Sequence, residues 1–106
     1  MAEFFNQSAK NISDSESTIL TSSSDSTIIL SILVSNTEGT SASDVSVRRT
    51  DSSDTDLGYL AFTIAVPADA NVDLLANKYI LPSGDKLKFV SSTSGTLDAS
   101  ISYVEV

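Results

Sequence analysis

Apolar residues recur at every second position over several short segments of this chain. Between residues 59 and 66, the alternate positions are held by Leu60, Phe62, Ile64 and Val66. Side chains on one face of a β-strand repeat with this period of two. The segment therefore predicts a strand with one continuous apolar face.

Other segments carry strand patterns of different strength. Residues 26–35 are apolar at both odd and even positions, which is typical of a central strand covered on both faces. Shorter runs rich in Val, Ile and aromatic residues predict strands over residues 18–21, 44–48, 78–81, 86–92 and 96–106. About seven or eight short strands, with turns between them, predict an all-β fold: a small antiparallel β-sandwich, immunoglobulin-like or jelly-roll-like, or a small barrel.

The 106 residues are enough for one domain. Residues 1–15 are predicted to form an N-terminal arm or edge strand, and residues 16–106 a single sandwich domain. Phe4 and Phe5 lie in a polar segment that is too poor in apolar residues to form a core of its own. We expect both phenylalanines to dock on the domain's own sheet or on a neighbouring subunit, which makes them interface candidates.

Two turns are predicted in the second half of the chain. In Pro82-Ser83-Gly84, proline and glycine suit the second and fourth positions of a type I turn. The last two predicted strands are expected to pair as a hairpin through the loop Thr93-Ser94-Gly95, with Phe89 opposite Ala99. Gly95 would then take a positive φ, as a bulged hairpin requires.

The composition excludes most enzyme chemistry. The sequence has no cysteine, histidine or tryptophan. It therefore has no thiolate nucleophile, no disulfide, no imidazole base and none of the common zinc ligand sets. Serines are numerous, but none has a histidine partner. We predict that the protein is not an enzyme and binds no cofactor.

The formal net charge of −8 restricts the possible partners. Phosphate affinity depends on clustered Lys and Arg, so nucleic acid is not expected as a partner. Anionic membrane surfaces are not expected either. The first residues lack the basic and apolar regions of a secretory signal, so we expect a protein that is not secreted.

One acidic loop is the most site-like feature of the sequence. Asp51, Asp54 and Asp56 are weak candidates for a calcium site, because carboxylates at near-alternate positions of a loop can converge on the ion. The loop lacks the glycine and glutamate of an EF-hand, and a solvated loop is the preferred interpretation. Arg48 and Arg49, just before it, would pair with these carboxylates or reach an acidic surface of a partner, so they are also interface candidates.

A family resemblance is carried by one turn and two strands. Residues 81–87 have the pattern Leu-x-x-Gly-Asp-x-Leu, and the closing strand ends with Ser102-Tyr103-Val104-Glu105. Residues 26–36 have the character of a first core strand. In these features, over roughly the last three quarters of the chain, the sequence resembles small virion structural proteins of tailed bacteriophages, especially those of cyanobacterial and marine hosts.

The resemblance implies a bacteriophage virion structural protein, either a capsid decoration (cement) protein or a minor head–tail component. Its partners would be the major capsid protein or neck and tail proteins, together with copies of itself as a homo-oligomer. It would be made in the host cytoplasm and located in the virion. The main alternative is a receptor- or carbohydrate-binding β-module of a fibre or adhesion apparatus, and a calcium-stabilised adhesion module is a third. The absence of tryptophan and the position of the tyrosines in predicted strands argue against a sugar site.

Overall fold

The computed structural model describes residues 3–106 and contains nine β-strands, with no helix in that range. Its strands are β1 (Glu3–Ala9), β2 (Ser17–Thr21), β3 (Ser26–Asn36), β4 (Ser43–Thr50), β5 (Asp56–Val66), β6 (Asn71–Asp73), β7 (Tyr79–Pro82), β8 (Lys86–Ser91) and β9 (Leu97–Glu105). Nothing in residues 3–106 is a helix long and apolar enough to cross a membrane.

The strands form two antiparallel sheets that pack face to face. In the first sheet the order is β1-β9-β3-β6, and β7 also pairs with β3 beside β6. In the second sheet the order is β2-β8-β4-β5. The predicted all-β sandwich is confirmed. The strand count exceeds the prediction because three-residue β6 lies in a polar segment without a strand pattern.

Apolar side chains from both sheets fill the space between them. The core consists of Ile12, Leu20, Ile29, Ile32, Val34, Val45, Val47, Val66, Leu81, Leu87, Phe89, Leu97, Ala99 and Ile101. Strand β3 supplies Ile29 and Ile32, which are three residues apart, because a bulge between Ile29 and Ser31 takes up one residue. The bulge explains why this segment is apolar at both parities. The expectation that β3 is covered on both faces is wrong in part, because Leu33 on the outer face is 39% exposed.

The predicted hairpin between the last two strands is wrong. Strand β8 belongs to the second sheet, where Phe89 lies opposite Ser17 and Val47. Strand β9 belongs to the first sheet, so the chain between them crosses from one sheet to the other. Backbone hydrogen bonds to Ile12 and Ser13 hold this crossing: the Gly95 N–H donates to the Ile12 carbonyl, and the Ser91 N–H to the Ser13 carbonyl. The predicted positive φ of Gly95 is confirmed at 82°.

The turn after β7 also makes a crossing between the sheets. The Asp85 N–H donates to the Pro82 carbonyl at 3.1 Å, so Pro82 is the first residue of the turn and Gly84 the third. Gly84 has a φ of 84°, which a type II turn requires at its third position. The predicted type I turn is therefore wrong by one position. Pro82 is thus both the exposed last residue of β7 and the first residue of the turn.

Candidate interaction surfaces

The N-terminal residues 3–9 form the edge strand of the first sheet. Phe4 is 77% exposed on the outer face, while Phe5 lies on the inner face of this edge strand, is 39% exposed, and stacks on Tyr103 with ring centroids 5.5 Å apart. The two interface candidates of the N-terminus thus lie in different environments. Phe5 anchors β1 to β9, and Phe4 faces solvent.

Phe4 is the end of an apolar row that crosses the outer face of the first sheet. The register aligns Phe4 with Val104, Val104 with Ile28, and Ile28 with Ile80. Val104 is buried outside the main core, between its two neighbours in the row, whereas Ile80 is 62% exposed. Directly opposed side chains in antiparallel strands contact each other. The row is therefore a continuous apolar strip with exposed ends, and we call it the apolar row.

Arg49 lies at the end of the space between the two sheets. Its Nε donates to Asp85 Oδ2 at 2.8 Å, its Nη2 lies 2.6 Å from the same oxygen, and its Nη1 donates to the Tyr79 hydroxyl at 3.3 Å. Asp85 is buried, and the Tyr79 ring lies under the guanidinium at 5.9 Å. Arg49 is thus used within its own chain, where it joins β4 to β7 of the other sheet.

Arg48, the neighbouring interface candidate, faces the outside of the second sheet. Its Nε donates to Glu16 Oε2 at 2.9 Å, and its Nη2 pairs with the other oxygen of Glu16. Its Nη1 lies 3.9 Å from Asp56 Oδ2. The hydrogen bonds to Glu16 raise the pKa of Arg48 above its ordinary value. Arg48 is therefore positively charged, and the carboxylate of Glu16 balances its charge.

The acidic loop is organised by Asp51. Its Oδ1 accepts hydrogen bonds from the Ser53 and Thr55 backbone N–H groups at 2.9 and 3.0 Å. One carboxylate thus closes a turn with its own loop, which is a common use of aspartate. Asp56 Oδ1 accepts from the Gly58 N–H in the same manner.

Asp54, the third weak metal candidate, faces two lysines of β8. Its Oδ1 lies 2.9 Å from Lys86 Nζ and 2.8 Å from Lys88 Nζ. The hydrogen bonds from Lys88 and then Lys86 lower the pKa of Asp54 to about 2. Within residues 3–106, no group of three or more acidic side chains is placed to hold a metal ion. The structure therefore does not bring Asp51, Asp54 and Asp56 together.

The outer surface of β5 carries apolar side chains that sequence reasoning placed differently. Leu60 and Ala61 both turn inward at a bulge opposite Val47. Tyr59 and Phe62, three residues apart, therefore share the outer face, and their rings meet edge-on with centroids 4.8 Å apart. Together with Leu57 they form an exposed set, 48%, 49% and 61% exposed from Leu57 to Phe62. Ile64 is 40% exposed but lies opposite the core residue Val45, so it belongs to the inner side of this edge strand. We call Leu57, Tyr59 and Phe62 the β5 face.

A strained backbone position lies next to this face. Thr63 has a φ of 47°, which is rare for a β-branched residue. Its N–H donates to the Ser46 hydroxyl at 2.8 Å, so a side chain replaces the missing strand partner. The bulge at this point puts Phe62 outside and lets Val66 reach the core. The sequence gives no sign of this bulge in the alternation of Leu60, Phe62, Ile64 and Val66. Only the nearby Gly58 signals an irregular strand.

A shallow groove of about 310 Å³ lies on the first sheet, at the end opposite the apolar row. Its lining residues are Ser8, Ala9, Lys10, Leu33, Ser35, Asp98, Ala99 and Ser100. Asp98 Oδ1 already accepts a hydrogen bond from the Asn11 N–H at 2.8 Å. The groove combines three apolar side chains, of Ala9, Leu33 and Ala99, with hydroxyls and an opposite pair of charges.

Comparison with known proteins gives a likeness of fold. No protein-family model matches the sequence, and no curated protein matches it. Among solved structures, a chain of the T13 viral particle of infectious bursal disease virus superposes with a TM-score of 0.57 at 8% identity, over 98% of this chain and 31% of the viral chain. The VP2 subviral particle of the same virus gives 0.56 at 10% identity, over 98% of this chain and 33% of VP2.

A mutant VP2 of that virus in T=1 particles gives a TM-score of 0.55 at 11% identity, over 98% of this chain and 32% of VP2. This chain therefore spans about a third of the length of the viral chains. At such low identities, the likeness concerns the fold. Nearly the whole of this chain shares its β-sandwich fold with one part of these viral particle proteins.

Proposed function

We propose that this protein is a structural subunit of a virus particle. The observation that carries the proposal is the superposition of 98% of the chain on proteins from particles of infectious bursal disease virus. A fold alone does not fix a function. The proposal therefore also uses the surfaces of the molecule, which are suited to packing against other proteins.

Two exposed apolar surfaces support a packing role. The apolar row lies on the first sheet and the β5 face on the second, so the sandwich offers contacts on opposite sides. Exposed aromatic and aliphatic clusters mark protein–protein contact sites. A subunit with two such sides can stand between neighbours in a repeated assembly. It acts by burying surface, on the order of 1,200–2,000 Å² for each specific interface, and not by catalysis.

The finer proposal is a tailed-bacteriophage protein, either a capsid decoration protein or a minor head–tail component. It is supported by the sequence resemblance at the Leu-x-x-Gly-Asp-x-Leu turn and the closing strand. In the structure this turn carries the chain from one sheet to the other, and Asp85 within it holds Arg49. The partners would be a major capsid protein or neck and tail proteins of the same particle.

Fractionation of purified particles tests the proposal. We expect the protein to sediment with particles through a density gradient, at a fixed copy number that mass spectrometry measures. A copy number in the hundreds supports capsid decoration, whereas about a dozen supports the head–tail junction. A protein that stays at the top of the gradient, away from intact particles, contradicts a virion role.

A receptor- or carbohydrate-binding module is the second candidate, and one observation favours it. Tyr59 and Phe62 are exposed and adjacent on the β5 face, and exposed aromatic rings are the usual platforms for sugars. A glycan array with the purified chain tests this function. Binding that the Tyr59→Ala variant loses would favour it over packing.

A further inference from the structure

We propose that the β5 face binds the β5 face of a second copy of this chain, forming a two-fold symmetric dimer. The inference names a partner for one surface of the proposed virion subunit, and it depends on that function for its biological setting.

The size of the face suits the centre of a small interface. Leu57, Tyr59 and Phe62 are each about half exposed. Side chains of this size then present on the order of 300 Å² of apolar surface per copy. Two copies would bury about 600 Å² of apolar surface, and with the usual polar share of an interface the total reaches about 1,000 Å², the lower end for a specific contact.

The charges next to the face cancel. Arg48, Lys86 and Lys88 of the second sheet pair with Glu16, Asp54 and Asp56, and Arg49 pairs with Asp85. The chain has 14 acidic and 6 basic residues, and these pairs use four of each. The ten carboxylates and two lysines that remain therefore carry the whole net charge of −8. The Tyr59 side of the face is bordered by this neutral set. Two carboxylates of the acidic remainder lie beyond the ends of the face, Asp51 in the loop before β5 and Asp44 opposite Ala65.

This charge distribution favours a second copy as the occupant. Two molecules that each carry a charge of −8 repel each other over most approaches. The β5 face borders a charge-balanced region, where apolar contact meets the least opposition. A two-fold dimer needs a single patch that is complementary to itself, and an apolar patch without net charge meets that requirement.

The backbone of β5 indicates that side chains make this contact. The pairing of β4 with β5 shifts register three times, between Val45 and Val47, between Val47 and Arg48, and between Arg49 and Thr50. Bulges of this kind twist an edge strand and oppose pairing with another strand. The two copies would therefore meet face to face through Tyr59 and Phe62, and not by extending the sheet.

Sedimentation equilibrium of the purified full chain tests the dimer. We expect a monomer–dimer equilibrium that Phe62→Ser weakens at least about tenfold, as for a central interface residue. Ile80→Ser is the matched control, because Ile80 is 62% exposed on the other sheet, and it should change the constant less than about twofold. Added salt should strengthen association or leave it unchanged, because it screens the repulsion between acidic surfaces. Circular dichroism checks that both variants are folded.

Cross-linking tests the orientation, because the chain has no cysteine of its own. Ala65→Cys lies on β5 and Ser8→Cys on the first sheet, and both positions are exposed. A short bifunctional thiol reagent should link the Ala65→Cys variant into dimers and leave the Ser8→Cys variant monomeric. The reverse result overturns the proposed face.

Two further outcomes overturn the dimer. One is a wild-type chain that remains monomeric at millimolar concentration, and the other is an equal weakening by Phe62→Ser and Ile80→Ser. Neither affects the virion role, which particle fractionation tests separately. A chain that dimerises through the β5 face but is absent from particles would contradict the proposed function and support the dimer.

Discussion

Among single residues, Asp85 makes the contacts that bind one sheet most directly to the other. Its carboxylate receives Arg49 of the second sheet, and the same guanidinium reaches Tyr79 of the first. The side chain of Asp85 is 11% exposed and that of Arg49 is 24% exposed. Removing one partner of such a pair leaves the other charge poorly solvated, which costs more than the pair itself contributes.

Replacing Asp85 tests this contact. Asp85→Ala should lower the free energy of unfolding by about 2 kcal/mol, below the value for a fully buried pair because Arg49 retains some solvent. Asp14→Ala, an exposed acidic position, should change the free energy by less than about 0.5 kcal/mol. Urea denaturation of the two variants measures both values. Equal effects would mean that Asp85 matters only through net charge.

The lowered pKa of Asp54 predicts a pH dependence. A carboxylate whose pKa falls on folding stabilises the folded state above its unfolded pKa, and this contribution is lost as pH falls through the folded value. For Asp54 that window runs from about pH 4 down to about 2. Asp54→Asn should unfold at a lower urea concentration than the wild type at pH 7, and the gap should shrink steadily between pH 4 and pH 2. A difference that stays constant with pH would assign the effect to the loop's shape.

Calcium should leave the stability unchanged. Asp54 is occupied by Lys86 and Lys88, while one oxygen of Asp51 is occupied by its own loop. We therefore expect the melting temperature to be the same in millimolar calcium and in EDTA. A rise of several degrees with calcium would show that the loop rearranges around the ion.

At the scale of strands, the sequence predicted which segments are extended and failed on which segments pair. The alternation in residues 86–92 and 96–106 is real, since Phe89 and Ala99 both face the core. The alternation of apolar and polar residues shows only which face of a strand a side chain is on. Two consecutive strands therefore give the same sequence pattern whether they pair as a hairpin or lie in opposite sheets. The crossing depends on backbone bonds to Ile12 and Ser13, which lie far away in sequence.

Bulges account for the other differences at this scale. In β5, one bulge turns Leu60 and Ala61 to the same side, and another follows at Thr63. Each extra residue exchanges the two faces of the strand beyond it. The alternation therefore predicted the strand correctly but placed Phe62 and Val66 on one face, whereas the structure exposes Phe62 and buries Val66.

The edge strand β1 should be dispensable for folding and needed for assembly. Removing residues 1–10 leaves the core residues from Ile12 onward intact, so we expect a folded domain with a lower melting temperature, because Tyr103 loses Phe5. Incorporation into particles should fall. Phe4→Ser in the full chain is the companion variant: it should keep the melting temperature and lose incorporation. A deletion variant that cannot fold would make β1 part of the folding core.

At the scale of the whole molecule, composition limited the function more than any motif did. From the lack of His and Cys and the charge of −8, the sequence predicted binding or packing as the role. The interface candidates named from sequence divide in the structure: Phe4 is exposed, whereas Arg48 and Arg49 are held by Glu16 and Asp85. The β5 face could not be foreseen, because it depends on bulges that local sequence does not specify.

Electron cryomicroscopy of the particle that carries this protein shows whether it is a structural subunit. We expect sandwich-shaped density, repeated at symmetry-related positions, into which the two sheets fit with the apolar row or the β5 face against a neighbouring subunit. Density of this fold at a fixed site in every particle would support a structural subunit. Complete particles without such density at any site would contradict the virion role.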